Sequence, residues 1–165
     1  MDTPEILVIG YGNSLAGDDA LGFYTVQKLV GSELPANVTV KYIHQLMPEH
    51  AEDISQFDII IFIDAEESNI DKGNSAGTMN CRLILQDDIH DTSSSAHEFS
   101  LDSILLISKE LYGKIPETYL ITVTGKNFLT GDRLTPEVEA CVPEVINTVY
   151  NIINRKNHGT EIPVF

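Results

Sequence analysis

The chain has 165 residues, with 25 acidic and 10 basic side chains and a formal net charge of −15. Its length fits one domain with a single continuous core. Because the charge is strongly negative and no Lys/Arg cluster is present, we expect neither nucleic acid nor a membrane surface as a partner. The N-terminal segment lacks the positive charge of a signal peptide and no apolar run could span a bilayer, so we expect a cytoplasmic protein.

Apolar runs alternate with segments of helical periodicity along the chain. The predicted strands, each an apolar run, cover residues 6–9, 38–43, 59–63, 79–85 and 119–123. Helices are predicted after the first strand, at 48–56, from about 100 to 112, and from 136 onward. This order predicts a three-layer α/β/α sandwich around one mostly parallel twisted sheet of about five strands. We expect residues 1–157 to form this domain and residues 158–165 to form a flexible tail.

Proline positions shape the prediction for the last helix. Thr135 is the expected N-cap and Pro136 the first helical residue, while Pro143 predicts a kink or a short break. Apolar residues recur on one face and predict a buried stripe that consists of Val138, Cys141, Val142, Val145, Val149 and Ile152.

A glycine-rich turn with two carboxylates follows the first strand. Residues 10–22 read GYGNSLAGDDALG, so Asp18 and Asp19 place negative charge where such a turn would hold a phosphate. The dinucleotide-binding pattern also fails, because Leu15 stands where its third glycine is required and His44 follows the second strand in place of an acidic residue. The turn therefore favours a cation site. The alternative is that the two aspartates cap the following helix and interact with its dipole.

Three side chains that can bind a metal ion are expected at the carboxyl edge of the sheet, where ligands collect in open α/β folds. Asp19 follows the first strand, Asp64 ends the predicted central strand, and His97 closes the loop after the fourth strand. Two carboxylates and one imidazole form an incomplete shell for a divalent metal, with positions left for groups from another molecule. The alternative is that Asp64 is a turn-forming or capping residue without a metal.

Four motifs resemble those of the [NiFe]-hydrogenase maturation endopeptidases, and the match runs from the first strand to the last helix. These motifs are GxGNxLxxDDxxG at 10–22, FIDA at 62–65, SSAH at 94–97 and LTPEV at 134–138. The first is specific, because the glycine turn and the acidic pair occur together. The resemblance implies an endopeptidase that removes a C-terminal extension from the hydrogenase large-subunit precursor once nickel has been inserted.

The resemblance also implies roles for individual residues. The family's three metal-contacting positions fall on Asp19, Asp64 and His97, which would form the catalytic set. They would contact nickel that the precursor supplies, so no cofactor would be held permanently. Many members have an Asp-Gly-Gly-Thr-like segment after the second strand, where this chain has His44, Gln45 and Leu46. That segment resembles the branch that serves bidirectional, NAD(P)-linked hydrogenases, and we expect it to recognise the substrate.

Two other functions remain open at this point. The first is a nickel-sensing chaperone that docks the hydrogenase precursor without cleaving it. The second is a flavodoxin-like electron carrier, which fits the size and acidity of the chain, although the hydroxyl-rich phosphate loop of such carriers is missing after the first strand.

Overall fold

The computed structural model describes residues 2–68, 75–90 and 99–159. Within these ranges the strands are β1 (Ile6–Tyr11), β2 (Val38–Ile43), β3 (Ile59–Glu67), β4 (Met79–Ile84) and β5 (Glu117–Gly125). The helices are α1 (Leu21–Val30), α2 (His50–Ser55), α3 (Leu101–Tyr112), α4 (Pro136–Glu139) and α5 (Val142–His158). The strands form one sheet in the order β2-β1-β3-β5-β4, with β4 antiparallel to β5 and the other pairs parallel. The predicted α/β fold with a mostly parallel five-stranded sheet is confirmed.

Both faces of β3 are buried, which explains its unbroken apolar run. Ile59, Ile61 and Ile63 share one core with residues of α1 and α5. Ile60 and Phe62 share the other core with residues of α2 and α3. All five side chains are at most 3% exposed. This composition is typical of a central parallel strand that helices cover on both sides.

β3 is longer than predicted. The strand extends to Glu67, so Asp64 lies inside it and does not end it. The neighbouring strand β5 reaches Gly125 and pairs with β3 along its whole length. The backbone N–H and C=O groups of β3 beyond its apolar residues therefore have hydrogen-bond partners in β5. On the other side, pairing with β1 stops at Ile63, opposite Gly10. The sheet therefore opens beside Asp64.

β4 runs opposite to the other strands. Its neighbour in the sheet is β5, and the two strands pair antiparallel, with Met79 opposite Val123 and Ile84 opposite Thr118. β4 therefore begins near the carboxyl edge of the sheet and ends at Ile84, near the amino edge. The sequence predicts His97 at the carboxyl edge because it follows the fourth strand. That reason is wrong, since the fourth strand ends near the amino edge. His97 itself lies outside the described residues.

The prolines have the predicted effects on the last helices. Thr135 is the N-cap of α4 and Pro136 its first residue, and a short turn at Ala140 and Cys141 separates α4 from α5. Pro143 lies in the first turn of α5, where the missing N–H leaves no hydrogen bond unmade. The whole predicted stripe from residue 138 to residue 152 is buried.

Some predicted helix faces are wrong at their ends. Helical periodicity predicts Val30, Leu111 and Tyr112 on buried faces, but they lie in the last turns of α1 and α3 and are 65%, 70% and 44% exposed. α5 stays helical to His158, and the remainder of the expected tail, 160–165, lies outside the described residues. None of the helices in the described part of the chain is long and apolar enough to cross a membrane.

Candidate active site

A crevice lies where the strand order of the sheet reverses. β2, the next strand in the chain after β1, pairs with one side of β1. β3 pairs with the other side, and β5 and β4 extend the sheet outward from β3. Ligands of open α/β sheets bind at such a switch point, beyond the carboxyl ends of the strands. The crevice has a volume of about 370 Å³, and its wall includes Tyr11, Asp19, His44, Asp64 and Phe99. Two of the predicted metal-contacting residues therefore open on the same space.

The glycine turn positions Asp19. Gly12 has a φ of 133°, and a Cβ at this position would lie 2.2 Å from the carbonyl oxygen of Asp19. Only glycine therefore allows the end of β1 to approach the 3₁₀ turn Gly17–Ala20, which carries Asp19. The backbone N–H of Asn13 donates a 2.7 Å hydrogen bond to Asp19 Oδ2. The backbone amide that would face a phosphate in a nucleotide-binding turn here orients a carboxylate.

Tyr11 and Asp64 project from neighbouring strands onto the same face of the sheet. Tyr11 lies two residues after Ile9, and Asp64 lies two residues after Phe62. Because side chains alternate along a strand, Tyr11 and Asp64 project from the face of the sheet that α2 and α3 cover. The Tyr11 ring packs edge-on against Phe62, with 6.0 Å between ring centroids. Its hydroxyl interacts with the Asp64 carboxylate through a side-chain hydrogen bond. No sequence motif singles out Tyr11, although the two-residue alternation from Ile9 places it on the same face as Asp64.

Asp64 is in an environment that disfavours its negative charge. Burial raises its pKa to about 7, and the charges of Asp19 and Glu66 act in the same direction. Hydrogen bonds from the Tyr11 hydroxyl and the Ala65 N–H stabilise the carboxylate and lower its pKa, but they do not outweigh the increase that burial causes. Burial and the nearby Asp64 also raise the pKa of Tyr11, so this hydroxyl keeps its proton. A cation placed between Asp19 and Asp64 would relieve their repulsion, as expected of a metal-contacting pair.

Asp18, the other member of the acidic pair, is fully buried and has a different role. Its carboxylate accepts hydrogen bonds from the backbone N–H of Lys126 (2.7 Å), Asn127 (3.0 Å) and Thr135 (2.7 Å), and from Thr135 Oγ1 (2.9 Å). Burial raises the pKa of Asp18, but these hydrogen bonds outweigh it and hold the pKa below its usual value. Asp18 therefore fastens the turn after β1 to the segment between β5 and α4.

The alternative that the two aspartates cap the following helix is wrong for side-chain capping, although both lie in the first turn of the 3₁₀ segment Gly17–Ala20, directly before α1, where they can interact with the helix dipole. The N-caps of the 3₁₀ turn and of α1 have no side-chain hydrogen bond. The hydrogen bonds of the Asp18 carboxylate go to the segment after β5, and that of Asp19 goes to Asn13.

The third predicted ligand, His97, lies outside the described residues, so its place in the site stays a prediction. Across residues 2–68, 75–90 and 99–159, no group of three or more His, Cys, Asp or Glu side chains is arranged to hold a metal ion. Phe99, only two positions after His97 in the sequence, is described and lines the crevice. The chain therefore re-enters the described structure beside Asp19 and Asp64.

The predicted recognition segment borders the same crevice. His44, Gln45 and Leu46 follow β2 and contribute to its wall. His44 and Gln45 are exposed, whereas Leu46 is only 4% exposed and belongs to the core under α2 and α3. Only the first two side chains are therefore available to contact a partner.

Comparison with known proteins identifies the family. No protein-family model matches the chain. A curated protein of Methanocaldococcus jannaschii, whose name assigns it to the hydrogenase maturation proteases, is 31% identical over 166 residues, which cover 94% of this chain and 100% of the relative. The chain belongs to the hydrogenase maturation protease family. It is accordingly a peptide hydrolase.

Solved structures agree with this family assignment. The hydrogenase maturating endopeptidase HybD of Escherichia coli superposes with a TM-score of 0.79 at 26% identity, covering 92% of this chain and 93% of HybD. The solution structure of an Escherichia coli endopeptidase gives a TM-score of 0.77 at 26% identity, with 93% and 94% of the two chains covered. The family fold thus extends over nearly the whole chain.

Proposed function

We propose that this peptide hydrolase removes a C-terminal extension from a [NiFe]-hydrogenase large-subunit precursor after nickel has been inserted. Family membership supports the peptidase activity. The observation that supports nickel as the recognition element is the pair Asp19 and Asp64, which come from separate segments and open on one crevice.

In this proposal Asp19, Asp64 and His97 contact nickel that the precursor already holds. The ion positions the scissile peptide and acts as a Lewis acid on its carbonyl group or on a water molecule. Two carboxylates and one imidazole form too sparse a shell to retain a borderline metal tightly, compared with thiolate-rich or His-rich sites. The metal therefore arrives and leaves with the substrate, and the purified enzyme is expected to be metal-free.

The mass of the precursor after incubation with the enzyme tests this proposal. We expect the nickel-loaded precursor to lose its extension and the nickel-free precursor to stay intact, because only the metal connects the three ligands to the scissile region. A chelator should not inhibit cleavage once nickel is buried in the precursor. Comparable trimming of both forms would contradict the metal-directed mechanism and leave the peptidase activity standing. Stable binding of the loaded precursor without any change of mass would instead support the nickel-sensing chaperone.

We further propose that the enzyme serves a bidirectional, NAD(P)-linked hydrogenase and that His44 and Gln45 contact its large subunit. Both side chains are exposed on the wall of the crevice, and loops on a rigid scaffold commonly select partners.

The double variant His44→Asp/Gln45→Gly tests this role and leaves the buried Leu46 in place. We expect kcat/KM for the cognate large subunit to fall about tenfold, because one lost hydrogen bond costs on the order of 1 kcal/mol and about 1.4 kcal/mol corresponds to a factor of ten. The melting temperature should change little, since both side chains are exposed. An unchanged cleavage rate would show that the segment is an ordinary strand-to-helix loop.

A further inference from the structure

Two turns of the same construction lie next to each other near the crevice. In the first, Asn13 Oδ1 accepts a 2.9 Å hydrogen bond from the backbone N–H of Leu15. In the second, Asn127 Oδ1 accepts a 2.9 Å hydrogen bond from the backbone N–H of Leu129. An asparagine that bonds to the backbone two residues ahead stabilises a tight turn. Each turn thus carries a leucine at a fixed place.

The two turns are joined into one rigid unit. Gly131 N–H donates to the Leu15 carbonyl at 2.8 Å, and Gly17 N–H donates to the Gly131 carbonyl at 3.0 Å. The buried Asp18 carboxylate binds the backbone of Asn127 directly. The two leucines therefore cannot move apart without breaking several hydrogen bonds.

Both leucine side chains are exposed to solvent, although hydrogen bonds hold the backbone of their turns in place. Leu15 is 63% exposed and Leu129 is 76% exposed. The unit is continuous with the crevice, because Asn13 lines it and the backbone N–H of Asn13 holds the Asp19 carboxylate. Single exposed leucines are common on protein surfaces. Here, however, two are held at a fixed position relative to a candidate catalytic carboxylate.

We propose that Leu15 and Leu129 form an apolar platform that binds an apolar segment of the polypeptide substrate next to its scissile bond. The proposal rests on the proposed function, in which the crevice at Asp19 and Asp64 is the site of cleavage. The platform fixes the substrate chain relative to these carboxylates, and it contributes binding energy without taking part in the chemistry.

Charge and size argue for a polypeptide substrate as the occupant. The net charge of −15 opposes both a second copy of this chain and an anionic lipid surface. Two leucines are also too small a patch for a stable dimer, which buries on the order of 1,000 Å² or more. A peptide hydrolase must bind an extended chain beside its cleavage site, and such a chain needs only a few apolar contacts.

The double variant Leu15→Ser/Leu129→Ser tests the platform in the full-length protein. We expect KM for the nickel-loaded precursor to rise at least about tenfold while kcat stays near the wild-type value, because each buried leucine contributes substantially to binding. The control Leu111→Ser removes a leucine of similar exposure, 70%, at the end of α3 near the opposite edge of the sheet. It should leave KM unchanged.

Direct binding separates failure of the platform from failure of the proposed cleavage. The affinity for the nickel-loaded precursor is measured for the wild-type protein and for the double serine variant, by rapid mixing before cleavage proceeds. Weaker binding by the double variant supports the platform even if the wild type cleaves nothing, in which case only the peptidase proposal fails. Equal binding by the two proteins, or no binding by either, overturns the platform. A dimer of the wild-type protein that the serine substitutions dissociate would also overturn it, because the occupant would be a second copy.

Discussion

Asp64→Asn, Asp19→Asn and His97→Ala are each expected to abolish processing of the nickel-loaded precursor. Each substitution removes one contact to an ion that is proposed to contribute several kcal/mol to catalysis, so the rate should fall by at least about a thousandfold. The measurement is the rate at which the extension is lost, followed by the mass of the precursor. For His97 the expectation rests on the family motif, since the residue lies outside the described part of the structure.

Folding should survive these substitutions at the two described positions. Asp64 is held in an environment that disfavours its charge, so a neutral amide should not lower the melting temperature. The control Asp53→Asn changes an exposed aspartate that pairs with Lys41, and it should cleave at the wild-type rate. Full cleavage by Asp64→Asn would show that the crevice is not the site of reaction.

Asp18→Asn is expected to lower the free energy of unfolding by about 3 kcal/mol, which corresponds to roughly 10 °C in melting temperature for a domain of this size. The Asp18 carboxylate is fully buried, and the groups that hydrogen-bond to it are all donors. These are the backbone N–H groups of Lys126, Asn127 and Thr135 and the Thr135 hydroxyl. An amide nitrogen in place of one oxygen would face a donor and leave it unpaired. Thermal and denaturant unfolding measure the loss.

The same substitution at a surface position provides the comparison. Asp53→Asn removes an exposed 2.7 Å ion pair with Lys41 and should cost less than about 1 kcal/mol. If Asp18→Asn and Asp53→Asn melt at the same temperature, the buried hydrogen bonds of Asp18 do not hold the two segments together.

Much of the fold could be predicted because its elements follow local patterns. The apolar run from Ile59 to Ile63 predicts a strand covered on both faces, and both faces are covered. Thr135 and Pro136 mark a helix start, and Pro143 marks a break close to the observed turn, because caps and prolines act within one turn of a helix. The alternation of strands and helices then leaves few architectures.

Parts of the site could also be predicted, because parallel strands bring their carboxyl ends to one edge. Asp19 and Asp64 were selected by this rule, and the structure places both on one crevice. Local patterns did not predict how far β3 extends, because its length depends on pairing with β5, a strand that lies more than fifty positions further along the chain.

The sequence by itself determined the α/β class, the helix boundaries set by prolines, and a carboxylate-bearing turn that cannot hold a phosphate. Only the tertiary structure decided that Asp18 and Asp19 act differently. The two are adjacent in the chain and chemically identical, but Asp18 meets donors more than a hundred positions away, at Lys126 and Thr135, whereas Asp19 opens on the crevice. The direction of β4 was decided in the same way, by its pairing with β5. Side-chain roles of this kind depend on which distant backbone groups need a partner, and local sequence patterns do not carry that information.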